Sequence, residues 1–140
     1  MATVARPITA GLPGYSETMP CEAASARRAR LLVTAALSCW GIHGLVEDAV
    51  LIVDELMSNA VDHTNCRSAR VVVRRVSESR VRIGVADTSR DVPDVHQAGD
   101  DAESGRGLAL VDALSDRWGY DLHGGQGRGW KVVWAELTAC

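Results

Sequence analysis

The stretch LVEDAVLIVDELMSNAVDH, residues Leu45–His63, decides the fold because its apolar residues recur with the period of an α-helix. At about 100° per residue, the apolar side chains fill one half of the helical wheel and the acidic and polar side chains fill the other. Leu51 breaks this separation. The stretch therefore predicts a helix that packs one face on an apolar layer and presents a strongly acidic face elsewhere.

The residues before this helix predict a tail, a short strand and another helix. Residues 1–14 are rich in proline and glycine and have little periodicity, which is typical of a mobile tail. Residues 15–19 predict a short edge strand that stops at Pro20. From Glu22 to about Trp40 the pattern is helical, with apolar residues on one face and arginines opposite.

Valine-rich and tryptophan-containing segments after the long helix predict two strand pairs. Each pair is joined by a short link, which is typical of antiparallel hairpins. The second link is the glycine-rich run 124–129; its composition also suits phosphate binding, although its place between two strands favours a hairpin turn. The predicted strands are Ala69–Val76 with Val81–Asp87, and Trp118–Leu122 with Trp130–Leu137.

The two strand pairs are separated by residues 88–104, a polar and acidic stretch without periodicity. A loop of this length, about seventeen residues, is usually a lid, a binding loop or a disordered segment. A short apolar helix, Leu108–Leu114, follows it. This order of elements predicts one α+β domain, 15–140, built as a two-layer α/β sandwich in which helices cover one face of a mixed, mostly antiparallel sheet.

Composition limits the function classes. The chain has 140 residues, of which 46% are hydrophobic, and a net charge of −3, so it can bury a core but has no general basic field for nucleic acid. Its four cysteines form no C-x-x-C pair, which predicts free thiols rather than a metal site. No apolar run reaches membrane-spanning length and no signal pattern is visible, so we expect a cytoplasmic protein.

Glu55 and Asn59 form the first candidate site. They lie four residues apart, so they project from the same face of the helix. A carboxylate beside a carboxamide offers hard oxygen ligands to Mg²⁺, which takes only one or two protein ligands when phosphates complete its shell. The carboxylate can instead orient or deprotonate an attacking hydroxyl. A merely solvated acidic face is the alternative interpretation.

The next candidates are a glycine-containing helix start and a strand end. Gly105 and Gly107 permit close backbone approach before the apolar helix, and the guanidinium of Arg106 can meet a phosphate. Asp87 ends a hydrophobic strand, where it can accept a hydrogen bond from an exocyclic amine such as that of adenine. A flexible helix start and an ordinary turn residue are the respective alternatives.

These segments occur in an order that resembles the GHKL, or Bergerat-fold, superfamily of ATPases and kinases. Glu55–His63 resembles the N-box, Asp87 stands where the G1 box begins, and Gly105–Val111 resembles the G2 box. Lys131–Trp134 is similar to the terminal strand of the anti-sigma-factor serine/threonine kinases. The resemblance covers roughly residues 22–137.

The resemblance implies an ATP pocket between the helical layer and the lid. In that pocket, Asn59 would bind the Mg²⁺ that bridges the ATP phosphates, and Glu55 would be the base toward a protein serine. Asp87 would read the adenine amine. The phosphate cradle at the start of the last helix would be formed by Gly105, Arg106, Gly107 and Leu108.

Two departures from the family pattern fall at the adenine end. The G1 box runs D-x-G-x-G, but residues 87–91 read DTSRD, so both glycines are missing. The terminal strand often carries a threonine near the adenine, and Val132 is assigned to that place; a valine cannot hold a hydroxyl-bridged water beside Asp87. These changes predict weak nucleotide binding or a relaxed base preference.

The anti-sigma branch implies a kinase that phosphorylates a serine or threonine on a small anti-sigma antagonist protein. Such a kinase can also hold a sigma factor, and family members often form homodimers. A histidine kinase would need a phosphoacceptor helical domain, for which 140 residues leave no room. The alternative is a nucleotide- or partner-binding regulatory module without phosphoryl transfer.

Overall fold

The computed structural model describes residues 5–7, 13–63, 67–87, 102–124 and 129–139. The helices are α1 (Ala26–Cys39), α2 (Val46–His63) and α3 (Ala102–Leu114). The strands are β1 (Arg6–Pro7), β2 (Gly14–Pro20), β3 (Ser68–Arg75), β4 (Arg80–Asp87), β5 (Arg117–His123) and β6 (Trp130–Thr138). These strands form one six-stranded sheet in the order β1-β2-β3-β4-β6-β5.

The two-layer α+β architecture is confirmed. Every strand pair among the described residues is antiparallel, so the sheet is more uniform than the mixed sheet expected. Each strand predicted after α2 is present, with its ends shifted by at most one residue. Strand β6 lies between β4 and β5, so the chain crosses over through α3 to the sheet edge before it returns.

The core lies between the sheet and the helices, because alternate residues of a strand point to the same face. On β4 these core residues are Val81, Ile83 and Val85, all of which are buried. Helix α2 meets the sheet with the apolar half of its wheel, and Leu51, the exception on the wheel, is 42% exposed. The buried residues of α2 are Ala49, Ile52, Val53, Leu56, Met57 and Ala60.

The helices lie side by side across the sheet. Helix α1 packs against β2 and β3, α2 against β4 and β6, and α3 against β5, so α2 is flanked by the other two helices. Gly41 makes the reversal between α1 and α2, since its φ of 72° is the left-handed conformation that favours glycine. There the N–H of Ile42 donates to the carbonyl of Leu37 at 2.9 Å.

The N-terminal segment differs from the prediction of a tail over residues 1–14. Strand β1 pairs with Tyr15 and Ser16 of β2, so Arg6–Pro7 belongs to the sheet and β2 is not its outermost strand. The physical reason is that a strand edge carries unpaired N–H and C=O groups, which a neighbouring segment satisfies. Residues 1–4 and 8–12 lie outside the described residues.

The cysteines also differ in part from the prediction of free thiols. Cys39 is a free, exposed thiol, but Cys21 is disulfide-bonded. A disulfide requires only that two thiols approach within a few ångströms in the fold. Sequence spacing does not show that proximity, which is why the prediction is wrong for Cys21.

A buried carboxylate ties β4, β5 and β6 together on the sheet face turned away from the helices. Glu136 is 0% exposed and stands opposite both Arg82 and Arg117. Arg82 Nη2 lies 2.6 Å from one carboxylate oxygen, and Arg117 Nε lies 2.8 Å from the other. The ring of Trp134 lies 4.0 Å from the Arg82 guanidinium carbon and covers Gly119, where a Cβ would approach the ring to 2.9 Å.

This cluster predicts a pH-dependent part of the stability. The hydrogen bond from Arg117, together with the bond from Arg82, holds the pKa of Glu136 below its ordinary value although burial opposes the shift. Glu136→Gln should therefore lower the free energy of unfolding at neutral pH by about 1–3 kcal/mol. A depressed folded pKa gives stabilisation that is present above the unfolded pKa of roughly 4.3 and is lost as the pH falls through the folded pKa.

Urea unfolding of the wild type and of Glu136→Gln across this pH range measures the difference. The matched control is Glu78→Gln, which removes an exposed carboxylate from the β3–β4 link and should change stability little. A loss that stays the same in acid as at neutral pH would contradict an ionised, hydrogen-bonded Glu136.

Candidate functional site

One flank of α2 carries the predicted base and the predicted metal ligand. The other flank of α2 faces α1. Asp54 lies on it, and its Oδ1 accepts a hydrogen bond from Arg30 Nη1 of α1 at 2.9 Å. Around the helix axis, Glu55 lies about 100° and Asn59 about 140° from Asp54. Both are half-buried, and both lie on the flank away from α1, where α2 packs against α3.

The environment of Glu55 makes it a stronger base than an ordinary glutamate. Burial raises the pKa of Glu55, and the nearby carboxylates of Asp54 and Asp62 raise it further. A carboxylate with a raised pKa accepts a proton more readily while it stays ionised at a pH above that value. This arrangement suits proton acceptance from a hydroxyl.

The donor set on this flank fits Mg²⁺. Asn59 offers an amide oxygen and Glu55 a carboxylate, and Mg²⁺ takes one or two such oxygens while keeping several waters. Among the residues that the structure describes, no three His, Cys, Asp or Glu side chains cluster as a metal site. The roles of Asn59 and Glu55 toward a metal therefore stay predictions that the chemistry of the pair supports.

Asp87 lies at the end of β4 on the helical face of the sheet. It is 4% exposed, and the residue directly opposite is Lys131 of β6, which is only 2% exposed. In an antiparallel pair, opposite side chains have Cβ atoms about 4.5–5.5 Å apart. A buried cation thus stands beside the carboxylate that was predicted to read adenine.

The assignment of Val132 to this place is wrong. Val132 pairs with Ala86, and both line a cavity on the other face of the sheet. The physical reason is that a shift of one residue along a strand moves a side chain to the opposite face. The sequence pattern that could have identified Lys131 at this place is its alternation with Val133 and Ala135. Alternation puts all three side chains on the core face.

A cavity of about 270 Å³ adjoins Asp87 at the ends of β2, β3 and β4. Its lining includes Thr18, Ser68 and Arg70, and Trp130 closes one side. These lining side chains alternate with the core residues, so they lie on the sheet face turned away from the helices, whereas the Asp87 side chain lies on the helical face. Residues 88–101 of the predicted lid and residues 125–128 of the glycine-rich turn lie outside the described residues.

Helix α3 begins earlier than the sequence predicted. It starts at Ala102, so the last three residues of the predicted lid, 102–104, are helical, and Gly105–Leu108 lie within the first two turns. Ala102 and Glu103 are of types with high helix propensity, which explains the extension. Only the first four N–H groups of a helix lack an intrahelical acceptor, so the backbone of Gly105 qualifies as an anion ligand. The backbone N–H groups of Arg106 and Gly107 can bind an anion only if the first turn of the helix unwinds.

The structure thus gathers some of the predicted site residues. Glu55 and Asn59 share one flank of α2, next to the helix that carries Gly105–Leu108, and Leu108 is 2% exposed. Asp87 belongs to β4, the strand that α2 covers. The roles assigned to these residues toward a nucleotide stay predictions.

Comparison with known proteins adds two findings. Residues 19–134 match the family model described as the histidine kinase-like ATPase domain. An uncharacterized protein of Streptomyces coelicolor is 38% identical over 73 residues, which are 50% of this chain and 70% of that protein.

None of the helices in the described part of the chain has the length and hydropathy that crossing a membrane requires.

The charge environment of Glu55 predicts a measurable coupling along α2. Asp62→Asn removes one of the carboxylates that raise the pKa of Glu55, so that pKa should fall. Carboxyl NMR titration measures it directly. Asp48→Asn is the matched control, because Asp48 lies as many residues before Glu55 as Asp62 lies after it but is not among the carboxylates that raise the pKa of Glu55. An equal shift in both variants, or none in Asp62→Asn, would contradict the local coupling.

Proposed function

Because the chain belongs to the histidine kinase-like ATPase domain family, we propose that it is an ATP-dependent serine/threonine kinase whose substrate is a small anti-sigma antagonist protein. The observation that carries this proposal is the half-buried pair of Glu55 and Asn59 on the α2 flank beside α3. A base with a raised pKa next to an amide oxygen suits the transfer of a phosphoryl group to a hydroxyl, because one group can accept the proton and the other can hold the metal.

Each residue has a distinct task in this proposal. Bound ATP with Mg²⁺ supplies the γ-phosphoryl group and the charge neutralisation of the phosphates. Asn59 would hold the metal through its amide oxygen. Glu55 would orient the serine hydroxyl and accept its proton, while the bond from the γ-phosphorus to the β-phosphate oxygen breaks and ADP leaves. Asp87 accepts a hydrogen bond from the nucleotide base. Gly105 offers its backbone N–H to a phosphate at the start of α3.

The partners belong to the same proposal. The resemblance of Lys131–Trp134 to the terminal strand of the anti-sigma kinases supports an anti-sigma antagonist as the phosphate acceptor and a sigma factor as a second binding partner. We further propose a cytoplasmic protein that can form a homodimer.

A second candidate function is a regulatory module that binds a nucleotide or a partner without phosphoryl transfer. The observation that favours it is the buried pair of Asp87 and Lys131 at the adenine end. An ammonium group directly across from the base-reading carboxylate alters recognition of adenine, and both G1-box glycines are missing as well. The two functions differ in whether Glu55 is needed for any phosphorylation.

Titration calorimetry with ATP, with and without Mg²⁺, tests the pocket. Asn59→Ala should weaken Mg²⁺-dependent ATP binding at least about tenfold, because it removes a metal ligand. Ser58→Ala, at an exposed neighbour on the same helix, is the matched control and should bind as the wild type does. Glu55→Gln should keep ATP binding but lower phosphorylation of anti-sigma antagonist proteins by about 10²-fold or more. Phosphorylation that survives in Glu55→Gln would contradict the proposed base, and no ATP binding by the wild type would contradict the pocket.

Base preference is expected to be relaxed. Adenine presents an amine donor to Asp87, whereas guanine presents a carbonyl acceptor that suits the ammonium of Lys131. Calorimetry should therefore give ATP and GTP affinities within about tenfold of each other, and Lys131→Met should restore a preference for ATP. Methionine has a similar volume, so the core packing is retained. Tight and ATP-selective binding by the wild type would contradict this expectation.

A further inference from the structure

The sheet face turned away from the helices contains a cavity of about 240 Å³ that the proposed kinase site does not use. We call it the sheet-face groove and define it by Arg70, Val72, Arg74, Arg82, Gly84 and Trp134, with Ala86, Asp121, Trp130 and Val132 completing the lining. The groove runs across β3, β4, β6 and β5. On β3 and β4 its residues alternate with the core residues, which explains why they face the other way.

Strand register creates the groove. Gly84 stands between Val72 of β3 and Trp134 of β6 in the same transverse row, so the absence of a side chain on the central strand leaves a depression between its neighbours. A Cβ on Gly84 would approach Val132 Cγ1 to 3.1 Å, which shows how closely the floor is packed. The floor is apolar, and longer side chains surround it.

The charge of the groove is opposite to that of the whole chain. Three arginines and one aspartate line it, a difference of two positive charges, whereas the chain carries a net charge of −3. Arg82 is already ion-paired with the buried Glu136 at 2.6 Å, so Arg70 and Arg74 are the arginines that supply positive charge toward a ligand.

We propose that the sheet-face groove binds an acidic linear segment of a partner protein, with carboxylates on Arg70 and Arg74 and an apolar side chain over Gly84. Guanidinium groups pair with carboxylates through parallel hydrogen bonds, so arginines suit this ligand better than lysines would. The groove crosses four strands about 4.8 Å apart, a span that an extended peptide fills more fully than a single small anion does.

The aromatic side chains of the groove argue for a peptide over a nucleic acid. Trp134 already has the guanidinium carbons of Arg82 and Arg117 at 4.0 and 5.5 Å from its ring centroid. Trp130 stacks on the imidazole of His123 at 4.0 Å. Sheet surfaces that bind single strands present open aromatic faces on which successive bases stack, and here both rings are partly covered.

The sheet itself separates this groove from the flank of α2 that carries Glu55 and Asn59. The acidic segment and a nucleotide can therefore be bound at the same time, and the inference does not rest on the proposed kinase activity. A peptide affinity that is the same with and without ATP is the expected sign of two independent sites.

The test uses a fluorescent peptide in which a leucine is flanked on both sides by glutamates. Fluorescence anisotropy should give a Kd on the order of 10–100 µM, since a small open groove belongs to the weak end of protein interfaces. Replacing the leucine by serine in the peptide should weaken binding about tenfold, and so should Arg74→Glu or Arg70→Glu in the protein. Arg27→Glu, the same charge change on an exposed residue of α1, is the matched control and should not weaken it.

Circular dichroism verifies that each variant is folded, and the leucine-to-serine peptide tests the groove without any change to the protein. Equal affinity of the wild type, Arg74→Glu and Arg70→Glu would overturn the proposal. Tighter binding of a single-stranded oligothymidylate than of the peptide would do so as well. Self-association of the chain that Arg74→Glu abolishes, measured by sedimentation, would assign the groove to a second copy and would equally overturn it.

Discussion

The packing of α2 against the sheet is the constraint on which the rest of the molecule depends. This helix buries Ile52, Val53 and Leu56 on the central strands, and its flanks are held by α1 and α3. The packing of α2 also determines where its polar side chains lie, because residues on one helix cannot rotate about the helix axis independently of one another. Burial of the apolar half therefore positions Glu55 and Asn59, and the apolar contacts and the site chemistry share one cause.

Most of the fold could be predicted from the sequence because its periodic patterns are strong. The separation of apolar and acidic residues along Leu45–His63 identified α2, and the valine and isoleucine content of Val81–Asp87 identified β4. Features that depend on contact between distant segments could not be predicted. The disulfide of Cys21 and the pairing of Arg6–Pro7 with β2 belong to this class.

The residues of the candidate site also divide into those that a local sequence pattern predicts and those that depend on contact between distant segments. Glu55 and Asn59 lie four apart on one helix, so their proximity follows from helical geometry and was predictable. Lys131 was missed because its place opposite Asp87 depends on the register of β6 against β4, which no local pattern specifies. The start of α3 was placed too late because its glycines suggested a break, whereas the helix continues through them.

The short first strand has a consequence for how copies of this protein behave at high concentration. An open strand edge is a template on which another chain can add, and long exposed edges lead to aggregation. Strand β1 covers β2 at Tyr15 and Ser16, and the last residue of β2, Pro20, has no N–H to donate. The part of β2 that is left between Ser16 and Pro20 is Glu17–Met19, which is shorter than a typical strand. This sheet edge therefore offers little to a growing fibril.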